Sequence, residues 1–280
     1  MHPIIQYIKE NLAGYYPETE IASMAKWLLQ EVFGFGTLEL YGGKDRSFSS
    51  KEQKQLDDIL DRLKNFEPLQ YILGVEIFHG LEFEVTPSVL IPRPETAELI
   101  DWIIADHPDF TGHLLDVGTG SGCIPISLAK EFPHAHIESW DVSTQALAVA
   151  ERNAKRNEVE VHFKEQDILV FQSGTLQPIY EVMVSNPPYI AEKEKATMEP
   201  NVLEWEPSLA LFVPDADPLL FYRTIATHGL QLLKPKGTLY FEINQVYGQE
   251  TEIMLENMGY TSVELRKDLF GNDRMLKALR

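Results

Sequence analysis

Residues 114–122 read Leu114-Leu115-Asp116-Val117-Gly118-Thr119-Gly120-Ser121-Gly122, and this stretch does most to predict the architecture. An apolar run that ends in closely spaced glycines indicates a buried strand turning directly into a helix. Gly118 and Gly120 permit a tight turn and close approach of a ligand to the backbone, and Gly122 lets the helix start press against the strand. The spacing G-x-G-x-G differs from that of dinucleotide-binding folds, and no phosphate-gripping lysine follows it. The turn therefore favours a nucleoside ligand without a pyrophosphate.

Strand and helix patterns alternate around this turn and beyond it. The predicted strands are 113–118, 136–142, 159–167, 180–186, 238–244, 260–267 and 273–279, and the predicted helices are about 122–131, 144–156, 217–233 and 247–258. This alternation predicts an α/β fold with a mostly parallel sheet that helices cover on both faces.

The residues before the sheet follow other patterns. Residues 1–72 have apolar side chains at helical spacing, with a capping box at Ser49 and Glu52 and a break at Gly42-Gly43. From Tyr71 to Val85 apolar residues alternate around His79-Gly80, which predicts a β-hairpin. We therefore expect an N-terminal helical recognition domain over 1–72, a hairpin linker over 73–90 and a sheet domain over 91–280.

Acidic residues follow the second and third predicted strands. Asp141 ends the second strand, where a carboxylate can bind the hydroxyl pair of a ribose. Asp167 closes the third, where it can accept a hydrogen bond from an adenine amine, and Ile168 offers an apolar contact to the ring. Each acid alone can equally be a helix cap. Their order is more informative, because ligands of open α/β sheets bind at the carboxyl ends of the strands.

The fourth strand of this series ends in Asn186-Pro187-Pro188-Tyr189. Asn186 carries a carbonyl acceptor and an amide donor on one short side chain. The prolines lack backbone donors, so their carbonyl groups can only accept. Tyr189 adds a flat aromatic face. Such a site can accept both hydrogens of a planar NH2 group and stack beneath it, as methylation of an amide or an exocyclic amine requires.

Composition and charge restrict the class of partner. The chain has 280 residues, of which 44% are hydrophobic, so a large core is expected and wholesale disorder is not. Its formal net charge of −19 and the lack of a basic segment argue against a nucleic-acid partner, although a local basic groove stays compatible with an acidic total. We expect a protein or small-molecule substrate.

Other features argue against a membrane, a disulfide and a metal site. The first residues lack the features of a signal peptide, and the apolar stretches are far shorter than the ~20 residues of a membrane span. Cys123 is the single cysteine, so no internal disulfide forms, and it is expected to be a packing residue. The eight histidines show no ligand spacing. We expect a cytoplasmic monomer without a metal or membrane contact.

The order of the glycine turn, the two acids and the tetrapeptide is similar to that of the seven-strand S-adenosylmethionine-dependent methyltransferases. More specific motifs resemble the release factor glutamine methyltransferases (the HemK/PrmC family) over nearly the whole chain. Besides the glycine turn, these motifs are Gln70-Tyr71-Ile72-Leu73-Gly74, Phe78-His79-Gly80, Val89-Leu90-Ile91-Pro92-Arg93-Pro94-Glu95-Thr96, Asn186-Pro187-Pro188-Tyr189-Ile190, Glu206-Pro207-Ser208-Leu209-Ala210-Leu211 and Lys267-Asp268-Leu269-Phe270-Gly271-Asn272-Asp273-Arg274.

The resemblance implies a Rossmann-like seven-strand methyltransferase sheet with a small N-terminal helical bundle joined by a β-hairpin. It implies a protein-(glutamine-N5) methyltransferase of translation termination, which uses S-adenosyl-L-methionine. The acceptor would be the side-chain amide nitrogen of the glutamine in the Gly-Gly-Gln motif of class I peptide chain release factors.

The resemblance also implies roles for individual residues. It places the glycine turn, Asp141, the position of Ile168 and Asn186 at the cofactor. With Asp167, the candidate cofactor residues are Gly118, Thr119, Gly120, Ser121, Gly122, Asp141, Asp167, Ile168 and Asn186. The candidate substrate residues are Asn186, Pro187, Pro188 and Tyr189, of which Asn186, Pro187 and Tyr189 are the catalytic candidates. Family members often have Glu at the position of Ala97 and an aromatic residue at that of Ile168, but neither departure removes a group that the chemistry requires.

Several alternatives stay open at this point. A glutamine methyltransferase of a ribosomal protein would carry the same catalytic motif. A nucleic-acid adenine or guanine methyltransferase acts on a similar planar NH2 group, although the acidic charge weighs against it. A non-catalytic binding module is disfavoured by the intact acids and tetrapeptide. Glu242, at the end of the fifth strand, can face the site or be a buried or capping residue.

Overall fold

The computed structural model describes residues 3–41, 46–172, 174 and 177–280. It divides into two compact units, Met1–Leu73 and Gly74–Arg280. The second unit includes residues 74–90, which the sequence assigns to a separate linker over 73–90. The function assigned to each part stays a prediction. Among the described residues, no helix is long and apolar enough to cross a membrane.

The first unit is helical. Its helices are α1 Pro3–Leu12, α2 Glu18–Trp27, α3 Thr37–Tyr41, α4 Ser50–Lys64 and α5 Leu69–Leu73, and a π-helical segment spans Leu28–Val32. The predicted capping box starts α4, since the Ser49 hydroxyl accepts from the Glu52 amide and the Glu52 carboxylate accepts from the Ser49 amide. Buried leucine and isoleucine side chains from these helices form one core. The predicted break at Gly42-Gly43 lies outside the described residues.

The second unit begins with an antiparallel hairpin of β1 Val75–Phe78 and β2 Leu81–Glu84. The predicted turn at His79-Gly80 is confirmed, and both residues have positive φ, 49° and 74°. The expectation that the strand pattern starts at Tyr71 is wrong. Tyr71 lies in α5, where the neighbouring Ile72 amide bonds to the Pro68 carbonyl at 3.0 Å. A short apolar run does not by itself distinguish a strand from a helix.

The core of this unit is a seven-stranded sheet. Its strands are β3 His113–Val117, β4 His136–Asp141, β5 His162–Glu165, β6 Tyr180–Ser185, β9 Leu233–Glu242, β10 Thr261–Lys267 and β11 Asp273–Leu279. Their order in the sheet is β10-β11-β9-β6-β3-β4-β5. β11 is antiparallel to both of its neighbours, and the other pairs are parallel. Short strands β7 Ile190–Ala191 and β8 Phe212–Val213 pair separately. The predicted α/β fold and mostly parallel sheet are confirmed.

Helices cover both faces of the sheet. They are α6 Pro94–Asp106, α7 Cys123–Glu131, α8 Thr144–Arg156, α9 Pro200–Leu203, α10 Ser208–Leu211, α11 Leu220–Leu232 and α12 Gly248–Asn257, with 3-10 turns at Glu192–Thr197 and Gln245–Tyr247. Side chains alternate between two buried cores, so that Leu114 packs with α6 and α7 on one face and Leu115 with α11 and α12 on the other.

Two strand predictions differ from the structure by more than one residue in their bounds. β5 ends at Glu165, so Asp167 follows this strand in a turn and does not close it. β9 begins at Leu233, before the predicted start at 238, because Tyr180 pairs with Leu233 ahead of a register shift. The chain runs outward from β3 through β4 to β5 and then returns to β6 on the other side of β3. The gap between β3 and β6 is therefore a topological switch point, where open α/β sheets bind ligands.

Candidate active site

A cleft of about 370 Å³ lies at the carboxyl ends of β3, β4 and β6. It brings together most of the residues that the sequence singled out. Those that line it are Gly118, Thr119, Gly120, Ser121, Asp141, Asp167, Ile168, Asn186, Pro187 and Pro188. Of the candidate residues that the structure describes, Gly122 and Tyr189 do not line this cleft.

Asp141 fixes the shape of the glycine turn. One carboxylate oxygen, Oδ2, accepts from the Gly120 amide at 2.9 Å, and the other, Oδ1, accepts from the Ser143 amide at 2.8 Å. The amides of Gly118 and Thr119 donate to the Trp140 carbonyl on the neighbouring strand, at 2.8 and 3.1 Å. Burial raises the pKa of Asp141, while the hydrogen bonds from the backbone amides of Gly120, Ser143 and Val142 oppose the rise. The second strand end thus shapes the loop that faces the ligand.

The side chains nearest to Gly122 belong to helices α7 and α8. Its φ of +84° lies in the left-handed region. A Cβ at this position would lie 2.7 Å from Ile126 Cδ1 and 3.1 Å from Ala150 Cβ. Gly122 therefore lets the start of α7 pack closely against α8, and its contribution to a cofactor site would be indirect.

A buried polar chain supports the turn from below. The Thr119 hydroxyl lies 2.6 Å from the Ser139 hydroxyl, which donates to Asp116 Oδ2 at 2.6 Å. Asp116 is fully buried, and burial raises its pKa to about 7. This network couples the turn to two adjacent strands, β3 and β4.

Asn153, on α8, ties three segments of the site together. Its side-chain oxygen accepts from the Glu84 amide at 2.6 Å, and its amide nitrogen donates to the carbonyls of Glu84 and Ser121, both at 2.9 Å. Asn153 is fully buried. The hairpin, the glycine turn and α8 are therefore held in one arrangement.

The side-chain amide of Asn186 contacts Thr96, which is itself hydrogen-bonded to a buried carboxylate at the carboxyl end of a strand. Its Nδ2 lies 3.4 Å from the hydroxyl oxygen of Thr96, at the start of α6. The Thr96 hydroxyl in turn donates to Glu242 Oε2, at the end of β9, over 2.5 Å. Glu242 is 1% exposed, and burial raises the pKa of its carboxyl group, while the hydrogen bond from Thr96 and the charge of Arg274 oppose the rise. Glu242 therefore lies behind the site, hydrogen-bonded to it.

Tyr189 packs against the core beneath the cleft. Its hydroxyl donates to Glu242 Oε1 at 3.2 Å, and its carbonyl accepts from Asn244 Nδ2 at 3.0 Å. Burial raises the pKa of the Tyr189 hydroxyl, which favours its neutral, donating form. Both ends of Asn186-Pro187-Pro188-Tyr189 are thereby anchored.

Two further motifs that are far apart in the sequence meet beside the cleft. Arg93 Nη2 donates to Glu206 Oε1 at 2.5 Å, and Glu206 Oε2 accepts from the Ile91 amide at 3.3 Å. Glu206 is 5% exposed, so this pair is shielded from water on one side. It fixes the loop before α6 against the loop that precedes α10.

Sequence reasoning missed the roles of several residues that support the site. Thr96 and Glu206 lie within motifs that it quoted, but nothing local indicated which residues they contact. Asn153 had a signal, since it is a polar residue in line with the buried face of α8. Asn244 had no such sequence signal. It follows β9 and reaches Tyr189 only because β9 lies beside β6 in the centre of the sheet.

The cleft fits a nucleoside-like cofactor. Its walls include the apolar groups Val117, Trp140 and Ile168, and two carboxylates, Asp141 and Asp167, face it. The hydroxyl of Ser121, which is 2% exposed, belongs to the lining of the cleft and can hydrogen-bond to a ligand there. Burial raises the pKa of the Cys123 thiol to about 12, which keeps it protonated. The described residues contain no cluster of histidine, cysteine and carboxylate groups that can hold a metal ion.

Two family models match separate parts of the chain. A family model described as "Methyltransferase small domain" matches residues 96–203, and one described as "PrmC N-terminal domain" matches residues 4–74. Among solved structures, a methyltransferase from Pyrococcus furiosus is similar with a TM-score of 0.53 and 17% identity, covering 82% of this chain and 98% of that one. At this identity the likeness shows the fold alone, a seven-strand methyltransferase fold.

Relatives with much higher identity extend over the whole chain. A release factor glutamine methyltransferase of Bacteroides thetaiotaomicron is 49% identical over 281 residues, covering 100% of both chains. One of Flavobacterium psychrophilum is 44% identical and covers 96% of this chain and 95% of its own. The chain therefore belongs to the release factor glutamine methyltransferase family and is an S-adenosyl-L-methionine-dependent methyltransferase.

Proposed function

We propose that this protein methylates the side-chain amide nitrogen of the glutamine in the Gly-Gly-Gln motif of class I peptide chain release factors. The observation that carries the proposal is the anchored Asn186, whose amide lies at the switch point next to the cofactor cleft. The names of the two full-length relatives support the same acceptor.

Residues of the cleft are proposed to hold the cofactor. Bound S-adenosyl-L-methionine supplies a methyl group on a sulfonium centre. Asp141 has lone pairs beyond those used by its amide partners, and these can accept hydrogen bonds from ribose hydroxyl groups. Asp167 uses Oδ1 for the Leu169 amide at 2.8 Å, and its other oxygen can accept from an adenine amine. Ile168 would contact the base by apolar packing and not by aromatic stacking.

The acceptor amide is proposed to bind at the tetrapeptide. An amide nitrogen is a poor nucleophile, because its lone pair is delocalised into the carbonyl group. Asn186 Oδ1 and the Pro187 carbonyl would accept the two hydrogens of the glutamine amide and favour the charge that builds on its nitrogen during transfer. Since these acceptors are fixed before binding, alignment would carry much of the rate, and such alignment contributes about 7–11 kcal/mol in favourable cases. No strong base is required.

Pro188 and Tyr189 are proposed to shape the surface beneath that amide. Pro188 lines the cleft and has no backbone donor to compete for the Asn186 acceptor. The ring of Tyr189 would form the platform beneath the glutamine, as the sequence predicts. Its hydroxyl bond to Glu242 holds the ring in place.

The proposal includes the setting in which the enzyme acts. We propose a cytoplasmic monomer whose partner is the release factor itself, with no direct contact to nucleic acid. The net charge of −19 supports the last point, because it disfavours approach to a polyanion. Sedimentation of the enzyme alone and with release factor would test the monomer.

Methyl transfer to defined acceptors tests the substrate. Purified enzyme would be incubated with labelled S-adenosyl-L-methionine and a class I release factor, its Gly-Gly-Gln glutamine→Ala variant, a ribosomal protein mixture or nucleic acid. We expect label in the wild-type release factor only. Equal labelling of the Gln→Ala variant would contradict the proposed acceptor atom, and preferential labelling of ribosomal protein or nucleic acid would favour the rival substrates.

The role of Asn186 is tested by its alanine variant. Asn186→Ala should abolish turnover while the Kd for S-adenosyl-L-methionine changes little, because the acceptor for the glutamine amide is lost and the glycine turn is kept. Asn257→Ala, at an exposed position at the end of α12, is the matched control and should retain wild-type turnover. Turnover by Asn186→Ala near the wild-type rate would contradict the hydrogen-bonding role.

A further inference from the structure

We propose that Glu242 is a positioning residue, which acts through the Thr96 hydroxyl to set which end of the Asn186 side-chain amide faces the substrate. The inference rests on the proposed function, in which Asn186 Oδ1 accepts a hydrogen from the glutamine amide. It gives a role to a buried carboxylate that the methyl transfer itself does not require.

The need for such a residue follows from the shape of an amide. The oxygen and the NH2 group of asparagine are similar in size, so packing alone does not choose between the two orientations. The reaction requires one of the two orientations, because only the oxygen of the Asn186 side chain can accept a hydrogen bond from the glutamine amide. An Asn186 side chain turned by 180° would point a donor at a donor.

The hydrogen bonds that run from Asn186 through Thr96 to Glu242, here called the relay, determine the productive orientation of the Asn186 side chain. A threonine hydroxyl has one hydrogen, and that of Thr96 points at Glu242 Oε2, 2.5 Å away. The Thr96 oxygen can then only accept from Asn186, so the group 3.4 Å from it must be the NH2 group. Asn186 Oδ1 is left for the substrate. Thr96 and Glu242 are 2% and 1% exposed, so water does not compete with this order.

The direction in which the hydrogen bonds of the relay donate depends on the charge of Glu242. An ionised carboxylate only accepts, whereas a protonated one can donate to the Thr96 oxygen. The Thr96 hydrogen would then be free to turn toward Asn186 and to favour Oδ1 at that position. This reversal would present Asn186 Nδ2 to the substrate. The ionised form of Glu242 is therefore the one that supports transfer.

Some groups around Glu242 raise the pKa of its carboxyl group, and others lower it. Tyr189 donates to Oε1 and Thr96 to Oε2, so both oxygens have a donor that favours the carboxylate. Arg274 adds a favourable positive charge, whereas burial and the negative charge of Glu95 oppose ionisation. Cys123 and Tyr222 also interact electrostatically with Glu242. With burial the largest influence, the pKa of Glu242 is raised, which brings its titration closer to neutral pH.

A pair of variants at Thr96 separates the hydroxyl from the packing. Thr96→Val keeps the volume and removes the hydroxyl, and Thr96→Ser keeps the hydroxyl and removes the methyl group. With release factor as acceptor, we expect Thr96→Val to lower kcat about 100-fold, the loss that misplacement of a reacting group can cause. Thr96→Ser should keep most of the wild-type kcat, and the Kd for S-adenosyl-L-methionine should change little in both. Equal loss in the two variants, or wild-type kcat in Thr96→Val, would overturn the relay.

The pH dependence tests the charge on Glu242 itself. Glu242→Gln cannot ionise, and its one amide oxygen can accept from Thr96 or from Tyr189 but not from both. We expect the kcat of the wild type to fall on the acid side, and the kcat of Glu242→Gln to be lower but to show no such fall. The same acid limb in both proteins would overturn the role of Glu242. The proposed function fails separately, if the wild-type enzyme itself transfers no methyl group to the release factor.

Discussion

Substitution of Gly122 by alanine tests whether this residue acts through helix packing. The left-handed φ of +84° would cost an alanine roughly 1–2 kcal/mol. The new Cβ would also lie 2.7 Å from Ile126 Cδ1 and 3.1 Å from Ala150 Cβ. Ile126 and Ala150 are both fully buried, so neither can move into solvent, and overpacking of this kind costs about 1–3 kcal/mol. The expected loss in the free energy of unfolding is the sum, about 2–5 kcal/mol.

Gly120→Ala is the matched control for this variant. Gly120 also has a left-handed φ, +53°, but a Cβ there would meet nothing within 4 Å. Only the backbone cost of roughly 1–2 kcal/mol is then expected. Urea unfolding of both variants, followed by tryptophan fluorescence, gives the two losses when the m-values agree. Equal losses in Gly120→Ala and Gly122→Ala would refute the packing role of Gly122.

Two further predictions concern the tetrapeptide and the buried acid below it. Tyr189→Phe should lower kcat modestly and Tyr189→Ala strongly in steady-state assays, because only the alanine variant removes the ring. Equal losses in the two variants would assign the whole effect to the hydroxyl group and contradict the role of the ring. Burial raises the pKa of Asp116 to about 7, so the native state binds an additional proton between about pH 4 and that value and loses stability as the pH rises through this window. Asp116→Asn should therefore gain stability relative to the wild type between pH 5 and pH 8 in urea titrations, and a difference that is constant with pH would contradict this.

Much of the fold could be predicted, because its signals are local. The strands and helices after His113 follow from hydrophobic periodicity, and their alternation dictates a parallel sheet. Errors occurred where local signals are ambiguous. The apolar run from Tyr71 to Leu73 fits a strand or a helix, and the helix of the first unit takes it. The end of β5 was placed too late, since pairing with β4 stops at Glu165.

The candidate site could be predicted only in part, because its support is not local. The candidate residues that line the cleft follow strand ends, which the sequence reveals. The Thr96–Glu242 and Arg93–Glu206 contacts join residues 146 and 113 positions apart. No short-range pattern predicts such pairs, since they depend on strand order in the sheet. The sequence therefore indicated which groups act on a ligand, but not which groups hold them.

The location of the transferred methyl group tests the central claim most directly. A class I release factor would be treated with the enzyme and unlabelled S-adenosyl-L-methionine, digested and analysed by tandem mass spectrometry. We predict one added methyl group on the side-chain nitrogen of the Gly-Gly-Gln glutamine and none elsewhere. A methyl group on another residue, or an unmodified glutamine after full incubation with active enzyme, would contradict the proposed function.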